Sequence, residues 1–295
     1  MKLVNIVFCL TLLGGIATSC IGEDMDECLS TNKLILSYKG DGTTEIFPDK
    51  INRVEMFVFD AENNCVHSSI LPDEDVRSRT TTLPPLVSGD YRIICIGNTY
   101  QTNISATASG DYSKMLFAAE DYVAGKTVSG NDSLYYASIS YTVEPFDPKA
   151  EDKTQIIPFA SSHYDLSVEV YGVPEGASPS LDITGVSPGT DFENRACGTA
   201  TQYIFATTHE PAKHLLKARN NIMRHKDHEN VNVNFRLSQG DEPLATVNLA
   251  AFLAANPIID CSKHEVLIPI QIEFKSGKVT ISVPEWYIKS VTPVF

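Results

Sequence analysis

Four histidines, His209, His214, His225 and His228, fall within twenty residues, with Asp227 and Glu229 beside the last two. A zinc site needs three or four ligands converging at about 2.0–2.2 Å. His225 and His228, at i and i+3, would share a face if the segment were helical. The set does not match HExxH or another metal-ligand spacing, so it reads as a polar, solvated stretch. Acidic residues number 37, too many to single out a catalytic pair by sequence. No P-loop and no GxGxxG occurs. Cys28, Cys65, Cys95, Cys197 and Cys261 contain no CxxC pair, which argues against zinc-ribbon and thioredoxin chemistry. A Cys28–Cys65 disulfide is one option in an oxidising compartment; small, buried, apolar thiols are the other. The expectation is a non-enzyme with no cofactor, no metal and no small-molecule substrate.

One cysteine stands apart. Leu3–Ile16 is almost wholly apolar after Lys2. It is too short for a membrane span of about 20 residues and fits the apolar region of a secretory signal. Ala17-Thr18-Ser19-Cys20 ends it and resembles a bacterial lipobox, with Ala17 where Leu is commonest. In that reading residues 1–19 are removed and the Cys20 sulfur takes a diacylglyceryl group, each buried methylene contributing about 0.8 kcal/mol to anchoring. The alternative is an ordinary signal cut near Ala17, leaving Cys20 a free thiol. Glu23, Asp24, Asp26 and Glu27 follow at once. Mutually repelling acids bury nothing and stay extended, so residues 20–32 read as a lipidated tether. The acidic run also resembles the export signal of Bacteroidetes surface lipoproteins, which implies the outer membrane and its exterior face.

The elements beyond the tether are mostly β. The chain has 295 residues, 43% of them hydrophobic, enough for two packed domains. Its formal charge of −14 excludes a nucleic-acid partner, which needs clustered Lys and Arg. In "INRVEMFVFD" (51–60), Val54, Met56 and Val58 alternate with Phe57 and Phe59, so both faces are apolar and the strand should be central and covered on both sides. "AENN" (61–64) supplies hairpin chemistry before "CVHSSIL". Further strands are expected at 33–38, 91–96, 133–143, 155–173, 202–209, 231–238, 265–274 and 278–283, with short helices within 110–124 and at 249–257. Residues 211–229 read as loop or helix, and 75–83, holding Arg77 and Arg79, as a solvated loop. "EPFDPKAEDK" (144–153) interrupts the pattern with two prolines and a charge cluster. The expected domains are 33–145 and 154–295, two β-sandwiches.

These residues together carry a family resemblance: the lipobox Cys20, the acidic run, "LILSY", Phe47, Ile51, Val54 and Val58 to Asp60, then Gly89, Tyr91, Gly97 and Asn98, and later "NLAAFLA", "EVLIPIQIEF" and Trp286. The chain resembles the FimB-type fimbrial anchor lipoproteins of Bacteroidales, except that "VPEWYIKSVTPVF" stands at its end where an Asn-Gly-Trp-like turn is expected. The resemblance implies two tandem transthyretin-like β-sandwich domains. It implies a place at the base of a fimbrium, with fimbrillin stalk subunits as partners and the outer membrane held through the N-terminal lipid. Such an anchor would attach the stalk and help its assembly or length control.

Fimbriae of this kind grow by strand exchange, a form of β-augmentation. An anchor held by its N-terminus should keep its first strand and give one elsewhere. The candidate donor is the tail: in an extended segment Tyr287, Val291 and Phe295 share one face, and Trp286, Ile288 and Val294 the other. The tail could equally complete its own domain's sheet. A different class of function is a fimbrial tip or carbohydrate-binding adhesin, with Tyr135, Tyr136, Trp286 and Tyr287 stacking on sugars.

Overall fold

The apolar alternation at Val54–Phe59 builds the middle of the first unit. The structure, a computed structural model, describes residues 32–105, 112–145, 153–224, 228 and 230–291. Val54–Phe59 lies between Gly89–Gly97 and Cys65–Ile70 in a five-stranded antiparallel sheet completed by Tyr135–Val143 and Ala160–Ser161. As its sequence requires, it is covered on both faces. Val54, Met56 and Val58 enter one core with Ile93, Cys95 and Ala137, and Phe57 and Phe59 enter another with Ile94 and Ile96. The hairpin at 61–64 forms with Asn63 at φ 64, the left-handed turn conformation that Asn tolerates.

The two covering layers come from distant sequence. On the Val54 side lies a three-stranded sheet, with Lys33–Ser37 in the middle between Thr80–Thr82 and Thr154–Pro158. Leu34 and Leu36 alternate inward and are fully buried. On the Phe57 side lies a four-stranded sheet in the order Ala196–Cys197, Gly189–Asp191, Leu116–Ala119 and Thr102–Ser105.

The second unit packs a five-stranded sheet (Thr207–Glu210, Leu215–Met223, His163–Tyr171, Leu267–Lys275, Lys278–Ser282) on a four-stranded one (Thr201–Ile204, Ser180–Val186, Asn232–Arg236, Ala245–Asn248). Leu166, Val168, Val170, Leu181, Ile183, Val233, Phe235, Ile268, Ile270 and Ile272 fill its core. The expected helix is present at Leu249–Ala255, its Asn248 side chain accepting from the Ala251 amide at 3.0 Å. The chain is all-β, built of packed sheets with a few short helices.

Three expectations change. The boundary at 144–153 does not separate the sheets: Thr154–Pro158 and Ala160–Ser161 pair within the first unit, and the second begins at His163. Pro158 and Ser161-Ser162 divide an apolar stretch whose alternation alone reads as one strand. Leu215–Met223 is a strand, paired with His163–Tyr171 along its whole length; tertiary pairing overrides the helix-like local composition. The loop expected at 75–83 is the helix Asp73–Ser78 followed by Thr80–Thr82. Arg77 lies in the helix, and Arg79 caps it in the left-handed region, paired with Glu45 at 2.8 Å.

Candidate functional site

The first strand, Lys33–Ser37, is fastened at both ends. At its start the Lys33 amide donates to Lys153 O at 3.0 Å; at its end the Phe159 amide donates to Ser37 O at 2.8 Å. Just beyond, the Glu45 carboxylate accepts from Ser37 Oγ (2.8 Å), the Tyr38 amide (2.7 Å) and the Phe47 amide (3.1 Å). Partial burial raises the Glu45 pKa, but these hydrogen bonds and Arg79 outweigh it and hold the carboxyl below its usual value.

The two units meet around Glu265. Its carboxylate accepts from Tyr38 Oη (2.5 Å), Lys50 Nζ (2.6 Å) and Tyr135 Oη (3.2 Å), all from the first unit. Burial opposes ionisation of Glu265, but the hydrogen bonds from Lys50, Tyr38 and Tyr135 prevail and lower its pKa. Burial, together with the same carboxylate, raises the pKa of Tyr38 and Tyr135. Asp41 returns the contact by accepting from the His264 amide at 2.9 Å. A polar cleft of about 440 Å³ opens beside Glu265, lined also by Lys50, Tyr135, His163 and Arg219. His163 is buried there, and burial lowers its pKa, leaving a neutral ring whose Nδ1–H donates to Leu134 O at 2.9 Å.

A second contact is made by strand addition. The hairpin of Gly189–Asp191 and Ala196–Cys197 belongs by sequence to the second unit, yet Gly189–Asp191 pairs with Leu116–Ala119 of the first. Phe192 at its tip is fully buried against Phe57, Phe59, Phe117 and Tyr112, with ring centroids 5.2–6.1 Å away. Tyr112 Oη and Tyr136 Oη both donate to Phe192 O, at 2.8 and 2.7 Å. Gly189 is required by the close approach: a Cβ there would lie 2.7 Å from Phe117 O. The preceding Gly185-Val186-Ser187-Pro188-Gly189 has the GxSxG spacing. It joins two strands rather than a strand and a helix, so it lacks the geometry of a nucleophile elbow.

The predicted site residues divide as follows. Cys20, Glu23, Asp24, Asp26, Glu27, Cys28, Val294 and Phe295 lie outside the described residues. Trp286, Tyr287, Ile288 and Val291 are not extended: they belong to the helix Glu285–Val291, locally supported by a Lys289–Glu285 ion pair at 2.8 Å. Tyr287 packs on the second core, while Trp286, Ile288 and Val291 are exposed. The edge strand before it shows a feature the sequence does not reveal. Val279 and Ile281 sit opposite Phe274 and Ile272, hence on the inward face, yet are 46% and 40% exposed. Their strand is terminal in its sheet, with one backbone edge unpaired among the described residues.

Tyr135 and Tyr136 spend their hydroxyls inside the protein, on Glu265 and Phe192, rather than presenting a stacking platform. Of the histidines, His209 lies on Thr207–Glu210, and His214 ends a short 3-10 turn with Nδ1 on Val173 O at 3.0 Å. His228 stacks near Tyr164, and His225 is outside the described residues. Among the described residues no three His, Cys, Asp or Glu are grouped to hold a metal. The four described cysteines are free thiols, and burial raises the pKa of Cys95 to about 12.

Gly97 and Asn98, noted only through the family resemblance, now have physical roles. A Cβ at Gly97 would lie 2.9 Å from Ile51 Cγ2. Asn98, at φ 64, donates to Lys50 O (2.8 Å) and Ser133 O (3.1 Å) and accepts from the Asn52 amide (3.0 Å). It fixes the Lys50 backbone beside the Glu265 junction.

Comparison with known proteins agrees with this architecture. The family model for Fimbrillin-A associated anchor proteins Mfa1 and Mfa2 matches residues 25–292. No curated protein matches. Among solved structures, the fimbrial anchor protein Mfa2 from Porphyromonas gingivalis is similar at a TM-score of 0.69 and 14% identity, covering 86% of this chain and 95% of that one. A fimbrial assembly protein from Parabacteroides distasonis is similar at a TM-score of 0.50 and 12% identity, covering 85% and 93%. With a family match spanning all but the ends, the chain belongs to the Fimbrillin-A associated anchor proteins.

Proposed function

We propose that this protein is an outer-membrane lipoprotein that anchors a fimbrium to the cell surface and takes part in its assembly, without catalysis. Cys20 carries the lipid, and Glu23, Asp24, Asp26 and Glu27 direct the chain to the exterior face. The two units are of the transthyretin-like type. The observation that carries this reading, beyond family membership, is the place of Lys33–Ser37. The tether runs directly into a buried middle strand, so the strand joined to the lipid is held rather than shed.

Attachment of a fimbrillin stalk subunit falls to the C-terminal end. The tail is helical in the free chain, but seven residues is far below the length at which an isolated helix is stable. Its conversion to an extended donor therefore opposes little local structure. Exposed Trp286, Ile288 and Val291 offer apolar side chains for a partner's groove.

Two experiments test the reading. Cys20→Ser should move the protein from the membrane fraction to the soluble fraction; retention in the membrane would overturn lipid anchoring. A chain truncated before Trp286 should lose the fimbrial subunits that accompany full-length protein in a pull-down read by mass spectrometry. Retention by both forms would place the stalk interface elsewhere, and recovery with neither would overturn the anchor role.

A further inference from the structure

We infer that the first unit is a mechanical clamp, with the strand joined to the tether loaded in shear. The inference rests on the anchor reading for its purpose and on strand direction for its content. Lys33–Ser37 and Thr154–Pro158 are parallel, in register from Lys33↔Thr154 to Ser37↔Pro158. The tether pulls the first strand at its N-terminal end. The rest of the chain pulls the other at its C-terminal end, through Ala160–Ser161, a two-residue strand that pairs antiparallel with Tyr135–Tyr136 and yields first. In a parallel pair these ends lie at opposite extremities. Tension then slides the strands past each other along their length, and the hydrogen bonds between them must fail together. An antiparallel hairpin pulled at its two free ends is instead peeled one pair at a time.

The surroundings reinforce this geometry. Both ends of the pair are closed by backbone hydrogen bonds, Lys33 N to Lys153 O and Phe159 N to Ser37 O. Leu34, Leu36 and Ile157 are fully buried, so sliding must also drag apolar side chains across the core. On the other flank Thr80–Thr82 pairs antiparallel with the first strand, and the Leu36 amide donates to Arg79 O at 2.9 Å. Glu45 holds the strand's far end through Ser37 Oγ and the Tyr38 amide.

The second unit repeats the device. Its entry strand His163–Tyr171 is parallel to Leu267–Lys275, from Asp165↔Leu267 to Tyr171↔Glu273. Load leaving through the C-terminus first peels the antiparallel edge strand Lys278–Ser282 and then bears on this pair in shear. The first clamp lies on the path wherever a partner grips the second unit.

The test is a single-molecule pulling experiment on the purified mature chain, one handle at its N-terminus and one at its C-terminus. The same chain is then pulled with the first handle moved to Thr43, in the exposed loop past the far end of Lys33–Ser37. There the load enters near the end at which it leaves Thr154–Pro158, and the strands peel. The expected result is a rupture force about twofold or more higher from the N-terminal handle, at equal loading rate, since forced unfolding reads the barrier rather than equilibrium stability. Equal rupture forces from the two attachments would overturn the clamp. A second reading uses Ile35→Cys with Ile156→Cys, which face each other in register. Oxidised, the pair should abolish the release of the segment between them, about 40 nm of chain at full extension; persistence of that release in oxidised molecules would also overturn it. The measurement is made on the isolated chain, so it can fail while fimbriae remain attached in cells, and it can succeed while the pull-down fails.

Discussion

At the scale of single residues, Glu265 concentrates the most interactions across the junction. One carboxylate serves a buried tyrosine, a second buried tyrosine and a lysine. Replacing it with Ala leaves the Tyr38 hydroxyl unsatisfied in a buried site, which costs about 1–3 kcal/mol. The expected outcome is a lower denaturant midpoint in Glu265→Ala, with Glu265→Gln in between, checked by tyrosine fluorescence in urea. The junction also depends on pH. The Glu265 pKa is lowered in the folded protein from a usual value of 4.5. Its stabilising contribution is therefore fully present above 4.5 and is lost as pH falls through the lower folded value. Wild type should lose stability on acidification below that point more steeply than Glu265→Gln, and identical acid profiles would refute the role. None of this was legible in the sequence, where Glu265 is one acid among 37 and its partners lie more than a hundred residues away. Cys20 is the opposite case: the residues that make it a lipidation candidate are its immediate neighbours in sequence.

At the scale of elements, the hairpin of Gly189–Asp191 and Ala196–Cys197 decides whether the first unit is closed. Phe192→Ala would empty a pocket among four aromatic rings, and truncations of buried Phe cost about 3–5 kcal/mol. Gly189→Val, which drives side-chain carbon into Phe117 O, should undock the hairpin without removing any core ring. Both variants should show faster hydrogen exchange at Leu116–Ala119 than wild type; unchanged protection would mean the hairpin is not held by these contacts. Strand legibility followed burial. Val54–Phe59 and Gly89–Gly97 carry dense apolar alternation because both faces are covered, and their pattern suffices to place them. Leu215–Met223, with Lys217, Arg219, Asn220 and Asn221 interrupting its apolar residues, becomes a strand through its two neighbours. The tail carries apolar residues at spacings compatible with an extended or a helical conformation, and locally the helix prevails.

At the scale of the whole molecule, the two units are joined by shared secondary structure as well as by a connecting segment. The crossover Ser161–His163, the Glu265 junction, the hairpin and the segment Val128–Asn131, which bridges to Tyr203 and Asn221, are separate links. The all-β character follows from patterning, whereas the pairing of Gly189–Asp191 with Leu116–Ala119 depends on contacts of long sequence separation that no periodicity encodes. Limited proteolysis offers a direct check. Cleavage within 144–153 alone should leave the two fragments associated through a gel-filtration column, because the first unit still holds residues 154–161 and the hairpin from the other fragment. Separation of the fragments would contradict the interlock.

The position of Phe192 also sets an order of events during synthesis. The aromatic floor formed by Phe57, Phe59 and Phe117 is complete in sequence by residue 117, but its cover arrives only with residues 189–197. A chain emerging from its N-terminus therefore carries an uncovered apolar face and an unpaired sheet edge until some seventy further residues have followed. Such intermediates aggregate readily. The exposure ends only when the chain's own hairpin docks.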